Sequence, residues 1–506
     1  MIKANINWRT FYLCTIIFRF VLALSDSYIH PDEHFQSFEV LTSRILGYAT
    51  NIPWEFQSSS PARSFGPLYL IYGPLLYIIK LLNLQLTPIQ IWYLARLQIT
   101  VLSWVITDSC LYWMLPTKPE RIKAIFFTST SYITLVYQSH LFSNSIETVL
   151  VILAILIIDD LRYVHESKER EIQQLNKSSS LFWFGVIVSI GIFNRITFPA
   201  FLILPSWFLL NYLLAHPARM VFPVIGFAIP TILFIAIDSI CFGKATVAQI
   251  LDSPLEWSHY SITPLNNLLY NSKYENLVQH GIHPYYTHIL VNLPQILGPG
   301  LIYLFSKTYI RTIPFLSLLS AVVFLSFVPH QELRFLVPMV PLACCCFDLT
   351  SKIVRPWMMK VWYLFNIAMA ILMGVLHQGG VVPALTYFQQ HQQSSVQIWW
   401  RTYSPPSWLL ASNSTETISL TDQADFSKTI NIIDAMGDDI EKVNDKFISL
   451  PRDKPIYLIT PIASFRHFNS SQFQPIWNHT LHLDMDHLDF TNWESLQPGL
   501  GIYQLL

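Results

Sequence analysis

The chain holds 506 residues, 52% of them apolar and 12% charged, where soluble globular proteins carry about 25% charged residues. A mean hydropathy of +0.39 excludes an ordinary soluble enzyme and a disordered chain. The net charge of −1 leaves no basic footprint for nucleic acid, so a multi-span membrane protein is the class that remains.

A helix needs roughly 20 apolar residues to cross a hydrocarbon core of about 30 Å. The first such run, 9–25, follows Lys3 and Arg9 and lacks a small-residue cleavage site, so it reads as a retained signal anchor. Residues 26–88 form the next loop. Within it, Gly66–Leu82 is apolar but carries Gly73-Pro74 at its middle, and is expected to be interfacial or re-entrant. Further runs follow at 89–115, 122–138, 146–158, 181–194, 197–214, 219–241, 285–306, 312–328, 335–351 and 360–378. They predict an all-α polytopic body of about 11 transmembrane helices, with 10 to 13 as the range. Cations cluster at Lys118, Arg121 and Lys123, in the 159–179 loop, at Lys307 and Arg311, and at Lys352, Arg355 and Lys360. The positive-inside bias makes these turns and the N-terminus cytosolic. Residues 26–88, 139–145, 242–284, 329–334 and the tail then face the lumen.

Residues 1–379 carry 24 Lys and Arg against 19 Asp and Glu, whereas residues 380–506 carry 7 against 13. This shift divides the chain into a membrane body, 1–379, and a luminal C-terminal domain, 380–506. Strand-like runs such as Ile456–Thr460 and a helix-like stretch around 428–447 predict a small α+β fold for that domain. Asn413, Asn469 and Asn478 head sequons that only a luminal tail could have glycosylated, while Asn176 heads one in a cytosolic loop. The six cysteines lie in apolar runs and read as buried structural thiols, without disulfide or zinc spacing.

Three luminal patches carry ionisable groups where a membrane edge makes them costly. The first, Tyr28-Ile-His-Pro-Asp-Glu-His-Phe-Gln-Ser-Phe-Glu39, packs His30, Asp32, Glu33 and His34 into five residues. Pro31 can open a helix and place Asp32 and Glu33 in its first turn, where the dipole keeps carboxylates ionised. A carboxylate there is suited to accept a proton from a sugar hydroxyl, or is simply a solvated helix start; a metal set of His30, Asp32 and His34 ranks third. The second patch, His140–Thr148, offers Asn144 and Glu147 at the opening of a span. The third, Pro329-His-Gln-Glu-Leu-Arg-Phe-Leu-Val-Pro338, offers His330, Glu332 and Arg334, with Arg63 and Arg195 as further cations able to hold a phosphate or to end a helix. Asp484-Met-Asp486 imitates a metal-binding DxD but alternates with apolar residues and reads as a half-exposed strand or loop. Arg19, Arg96, Asp108 and Asp238 fall within spans, where pairing inside the bundle or a conduction path would explain them.

HPDEHFQSFE, IPWEF (52–56), ARSFGP (62–67), SNSIET (143–148) and PHQELRFLVP together resemble the dolichyl-phosphate-mannose-dependent mannosyltransferases of glycosyltransferase family 22. The resemblance covers about residues 10–378 and implies the GT-C fold. Within the family, the wording of the first two patches and Gln331 resembles the branch that adds a fourth, α-1,2-linked mannose to the GPI-anchor precursor. Gln331 stands where a lysine is commoner, which removes one cation from the donor-phosphate site the resemblance implies. The resemblance further implies an endoplasmic reticulum membrane enzyme with a luminal site, dolichyl phosphate mannose as donor, and the GPI precursor glycolipid as acceptor. It implies no cofactor and no metal. Asp32, then Glu33, would be the base, and Arg334 and His330 would face the leaving phosphate. The alternatives are another family 22 mannosyltransferase, acting on the third GPI mannose or the N-glycan precursor, and a transporter or lipid scramblase. The last is disfavoured because the clusters sit at span ends and no inverted repeat is visible.

Overall fold

The computed structural model describes residues 7–506 apart from 253–256, 352, 392–393, 423–425 and 489–490; Lys3 and Lys352, two of the orienting cations, lie outside the described residues. Its main helices are α1 (Trp8–Ala23), α2 (Glu39–Leu46), α3 (Gly66–Ile71), α4 (Gly73–Leu81), α5 (Pro88–Met114) and α6 (Lys118–Thr130). They continue with α7 (Ser143–Glu166), α8 (Ser178–Asn194), α9 (Val221–Cys241), α10 (Ile313–Ser326), α11 (Met358–Ile371), α12 (Val381–His391) and α13 (Ile440–Ser449). Among the described residues, Pro88–Met114, Pro217–Cys241 and Met358–Leu376 are long and apolar enough to cross a membrane. A fourth span arises if Tyr132–Ser139 and Ser143–Glu166, bent by 116°, count as one.

Several of the remaining apolar runs are interrupted, and their imino acids and glycines say why. A proline removes an amide donor and clashes with the preceding turn. Pro199 and Pro205 break the 197–214 run, Gly298-Pro299-Gly300 turns the 285–306 run into π, α and 3-10 segments, and in 335–351 regular helix starts only after Pro338, over Met339–Cys346. Gly73-Pro74 splits the 66–82 run into α3 and α4.

Two compact units emerge. The first comprises Met1–Phe20, Trp54–Ile71 and Gln98–Ile367. In it α8 and α9 approach closely because Gly185 meets the Pro223 carbonyl and Gly226 meets the Phe182 carbonyl, the small-residue packing favoured in membranes. The outer face of α9 exposes Ile229, Ile232 and Leu233, apolar area that water would penalise and lipid does not. Arg19 pairs with Asp108 at 3.3 Å, and Tyr12 Oη donates to the same carboxylate at 2.6 Å. Asp238 accepts from Ser64 Oγ, the Phe65 amide and Thr263 Oγ1 at 3.1, 2.8 and 2.8 Å, which fixes the loop entering α3.

The second unit comprises Val21–Pro53, Tyr72–Leu97 and Ala368–Leu506. Its six-stranded sheet runs β2-β3-β1-β4-β6-β5, with β1 (Ser395–Trp400), β2 (Thr415–Ser419), β3 (Ile430–Met436), β4 (Ile456–Pro461), β5 (Phe473–His479) and β6 (Leu500–Leu505). The first four strands of that order are parallel, and β6 is antiparallel to both β4 and β5. Helix α13 lays Val443 and Phe447, one turn apart, onto a core of Val396, Ile398, Trp400, Ile433 and Leu458. The stretch expected to be helical around 428–447 is thus strand first and helix second. The β-branched Ile430, Ile432 and Ile433 favour the pleated sheet, and the chain turns at Gly437 before α13 starts.

Candidate active site

In the second unit the acidic motif forms as its sequence dictates. Pro31 precedes the helical turn, and Asp32 and Glu33 occupy its start. The helix widens to a π turn over His34–Phe38 before continuing as α2, a local insertion common at functional sites. The two carboxylates have opposite surroundings. Asp32 keeps 19% of its side chain exposed and stands 3.6 Å from His30 Nδ1. That nitrogen lies 3.2 Å from the Asp32 amide, which donates to it. Glu33 is fully buried, 4.0 Å from Arg96 Nε. Arg96, also fully buried, donates to the carbonyls of Ser25 and Leu22 and lies 4.6 Å above the Trp92 ring.

His34 and Glu39 tie the motif to the loop after β1. His34 Nδ1 accepts from Trp408 Nε1 at 3.1 Å, and its ring stacks on Trp92. Burial, aided by the Arg96 charge, pushes His34 down to about 3 and keeps it neutral. Glu39, fully buried, accepts the amides of Asn51, Ser407 and Trp408 at 3.1, 2.9 and 2.9 Å and the Ser407 hydroxyl at 2.5 Å. Burial raises it to about 7 against the pull of those bonds. His34 therefore spends Nδ1 on Trp408 and lies buried, which disfavours the metal set of His30, Asp32 and His34. Among the described residues no three His, Cys, Asp or Glu side chains group as for a metal ion.

In the first unit the other motifs converge. Extended backbone at His140 and Phe142 makes the corner before α7, and Asn144 and Glu147 sit in the turns that follow. Arg195, reached from the end of α8, pairs through Nε with Glu147 Oε2 at 3.2 Å, with 5% and 0% of the two side chains exposed. Thr197 Oγ1 donates to Glu147 Oε1 at 2.6 Å, Asn144 Nδ2 donates to its Oε2 at 3.4 Å, and Arg195 Nη1 donates to Ser143 Oγ at 2.9 Å. Arg63 pairs with Glu55 at 3.2 Å and lies within electrostatic reach of Glu147. The late motif closes on the same place. The Arg195 guanidinium lies 5.1 Å from the Phe335 ring and that of Arg334 5.9 Å from it. Arg334 pairs with Glu332, which also takes His330 Nε2 at 2.8 Å. Burial alone would lower His330, but the bonds to Glu332 and to the Gly281 carbonyl override it and hold the imidazole above its ordinary value.

The sequence pattern of the Alg9-like mannosyltransferase family matches residues 10–412. The chain belongs to that family. This Alg9-like mannosyltransferase is 64% identical to GPI mannosyltransferase 4 of Candida albicans over 506 residues, covering all of both chains. It is 38% identical to GPI mannosyltransferase 4 of Saccharomyces cerevisiae over 520 residues, covering 96% of each. Among solved structures, ArnT from Cupriavidus metallidurans bound to undecaprenyl phosphate superposes with a TM-score of 0.54 at 11% identity, covering 99% of this chain and 98% of that one. Its apo form gives 0.51 at 9% identity, covering 98% and 97%. The likeness shows a shared fold.

Of the residues singled out in the mannosyltransferase sequence, Arg63, Asn144, Glu147, Arg195, His330, Glu332 and Arg334 meet in the first unit, and His30, Asp32 and Glu33 in the second. Asn413, Asn469 and Asn478 are all exposed. Gln331 is engaged with backbone groups. Its Oε1 accepts the His288 amide at 2.9 Å and its Nε2 donates to the Ser326 carbonyl at 3.0 Å, so it clips the turn together rather than facing a phosphate. Asp484 is held by His487 Nδ1 at 2.7 Å and Gln378 Nε2 at 3.4 Å. Phe335, Thr197, Glu39 and Trp408 escaped the sequence reading. The aromatic following Arg334 and the third carboxylate of the acidic motif were the available signals.

Proposed function

We propose that this mannosyltransferase moves mannose from dolichyl phosphate mannose onto the third mannose of a GPI precursor in α-1,2 linkage. The site would face the lumen of the endoplasmic reticulum, on a body of the GT-C class. The relatives named GPI mannosyltransferase 4 support the acceptor, and ArnT bound to undecaprenyl phosphate supports a polyprenyl-phosphate donor on this fold.

The observation that carries the catalytic assignment is the contrast between the two carboxylates. Glu33 is sealed against Arg96, whereas Asp32 keeps access to solvent beside His30. Asp32 takes the proton of the acceptor 2-hydroxyl. That oxygen bonds to the anomeric carbon as the bond from this carbon to the phosphate oxygen breaks, with inversion, and dolichyl phosphate leaves with the electron pair. Phosphate is a good leaving group, so the protein supplies charge stabilisation; Arg334 and a protonated His330 are suited to it. Glu332 holds both of these cations, while Arg195, paired with Glu147, and Arg63 are further cations suited to the phosphate, with Asn144 beside Glu147.

Membranes supplied with labelled donor test this. Asp32→Asn removes transfer while protein abundance stays normal, a loss of about 10²–10⁴-fold for a general base. Full activity in Asp32→Asn overturns the assignment, and full activity in Glu33→Gln as well leaves neither carboxylate as the base. Accumulation, on depletion, of a lipid other than the three-mannose GPI intermediate overturns the acceptor.

A further inference from the structure

The second unit contains a pocket of about 250 Å³ that the acidic motif does not use. Tyr93 of α5, Thr386, Tyr387 and Gln390 of α12, Trp477 of β5, and Asp26 from the loop after α1 line it. The Tyr387 and Trp477 rings lie 5.9 Å apart and 34° from parallel. Tyr93 Oη donates to Asp26 Oδ1. Thr386 Oγ1 donates to the Val382 carbonyl at 2.9 Å, so its oxygen can still accept.

Aromatic rings beside a carboxylate, a hydroxyl and a primary amide match a particular chemistry, here with the Tyr387 ring also packed against His391 at 4.1 Å. A pyranose has a face of polarised C–H bonds, which the negative face of an aromatic ring attracts, and an edge of hydroxyls that needs donors and acceptors. The lining contains no Lys or Arg, and Asp26 repels anions, so a phosphate is disfavoured. The volume falls below the ~300–1,000 Å³ of sites for drug-sized molecules and suits one ring rather than a polyisoprenoid chain. The pocket also neighbours the acidic motif. Tyr93 is three residues, about 4.5 Å of helical rise, from Arg96, which packs against Glu33.

We propose that this pocket binds one neutral hexose ring of the acceptor glycan, a sugar beside the one that reacts. The identity of the glycan rests on the function proposed above, whereas sugar binding itself does not.

Full-length enzyme in detergent micelles, with methyl α-mannoside as probe, separates the two. Saturation-transfer NMR of the wild type is expected to show the mannoside binding, and Thr386→Val with Gln390→Leu to lose that signal. In transfer assays the same variants raise KM for the three-mannose glycolipid by roughly fivefold per hydrogen bond lost, with kcat and donor KM held. Absence of a mannoside signal from the wild type, a measurement that needs no variant, overturns the pocket. So does an unchanged acceptor KM in variants that elute and melt like the wild type. A wild type that binds the mannoside but transfers nothing to the GPI acceptor supports the pocket and refutes the acceptor assignment.

Discussion

Replacing Arg195 by methionine removes one half of an ion pair whose other half, Glu147, has no exposure at all. The remaining carboxylate keeps the Thr197 and Asn144 bonds but loses its counter-charge and the link through Ser143 to the corner before α7. Breaking a buried pair from one side costs about 3–5 kcal/mol, most of it the penalty of the stranded charge. Glu147→Gln keeps the shape and strands a guanidinium that still has Ser143 and the Phe335 ring, so its cost is smaller. The double variant strands neither charge. It is expected to melt above Arg195→Met alone, with a coupling of about 2 kcal/mol or more. Melting of the four proteins in detergent, followed by loss of the monodisperse peak on heating, gives the cycle. A double variant that falls by the sum of the two single losses refutes the pair as the element that holds this corner.

His34 contributes to the acid limb of stability, as does His482, which burial also holds at about 3. An unfolded histidine titrates near 6.5 and the buried one is held at about 3, so between these values the unfolded chain binds a proton that the folded chain refuses. The His34 contribution is therefore complete above pH 6.5 and declines as pH drops toward 3. His34→Gln should flatten a plot of melting temperature against pH, and an unchanged slope would place the sensitivity elsewhere. Gln331→Lys cannot accept the His288 amide; the orphaned donor costs about 1–3 kcal/mol, and a variant melting like the wild type would show the clip to be dispensable. Gly226→Ala drives a methyl group into the Phe182 carbonyl and is expected to empty the monodisperse fraction. Normal yield would contradict the close approach of α8 and α9.

Much of the body was legible because hydrophobic length and proline placement are local properties. The long helices α5 and α9 were foreseen as single runs, and the Gly73-Pro74 break between α3 and α4 was read from two residues. The start of the acidic helix at Pro31 was legible for the same reason. What stayed hidden depends on partners far away in sequence. Adjacent Asp32 and Glu33 are indistinguishable until Arg96 buries one of them. Gln331 looked like a missing cation until its amide was seen holding two backbone groups 43 and 5 residues away. In the tail, the helix expected around 428–447 lost its first half to the sheet, because β1 and β2 provide hydrogen-bonding neighbours that a linear pattern does not reveal.

Glu39 and His34 also set a clock. Their partners Ser407 and Trp408 are 368 and 374 residues further along the chain, and a ribosome adds about 5–20 residues per second. For roughly 20–70 s after it emerges, the acidic helix carries a buried-type carboxylate with no Ser407 or Trp408 donors to receive. The motif nearest the N-terminus is thus among the last parts of the enzyme to be finished. A chain that stops short of Ser407 would carry α1 to α12 and an acidic helix without these two partners.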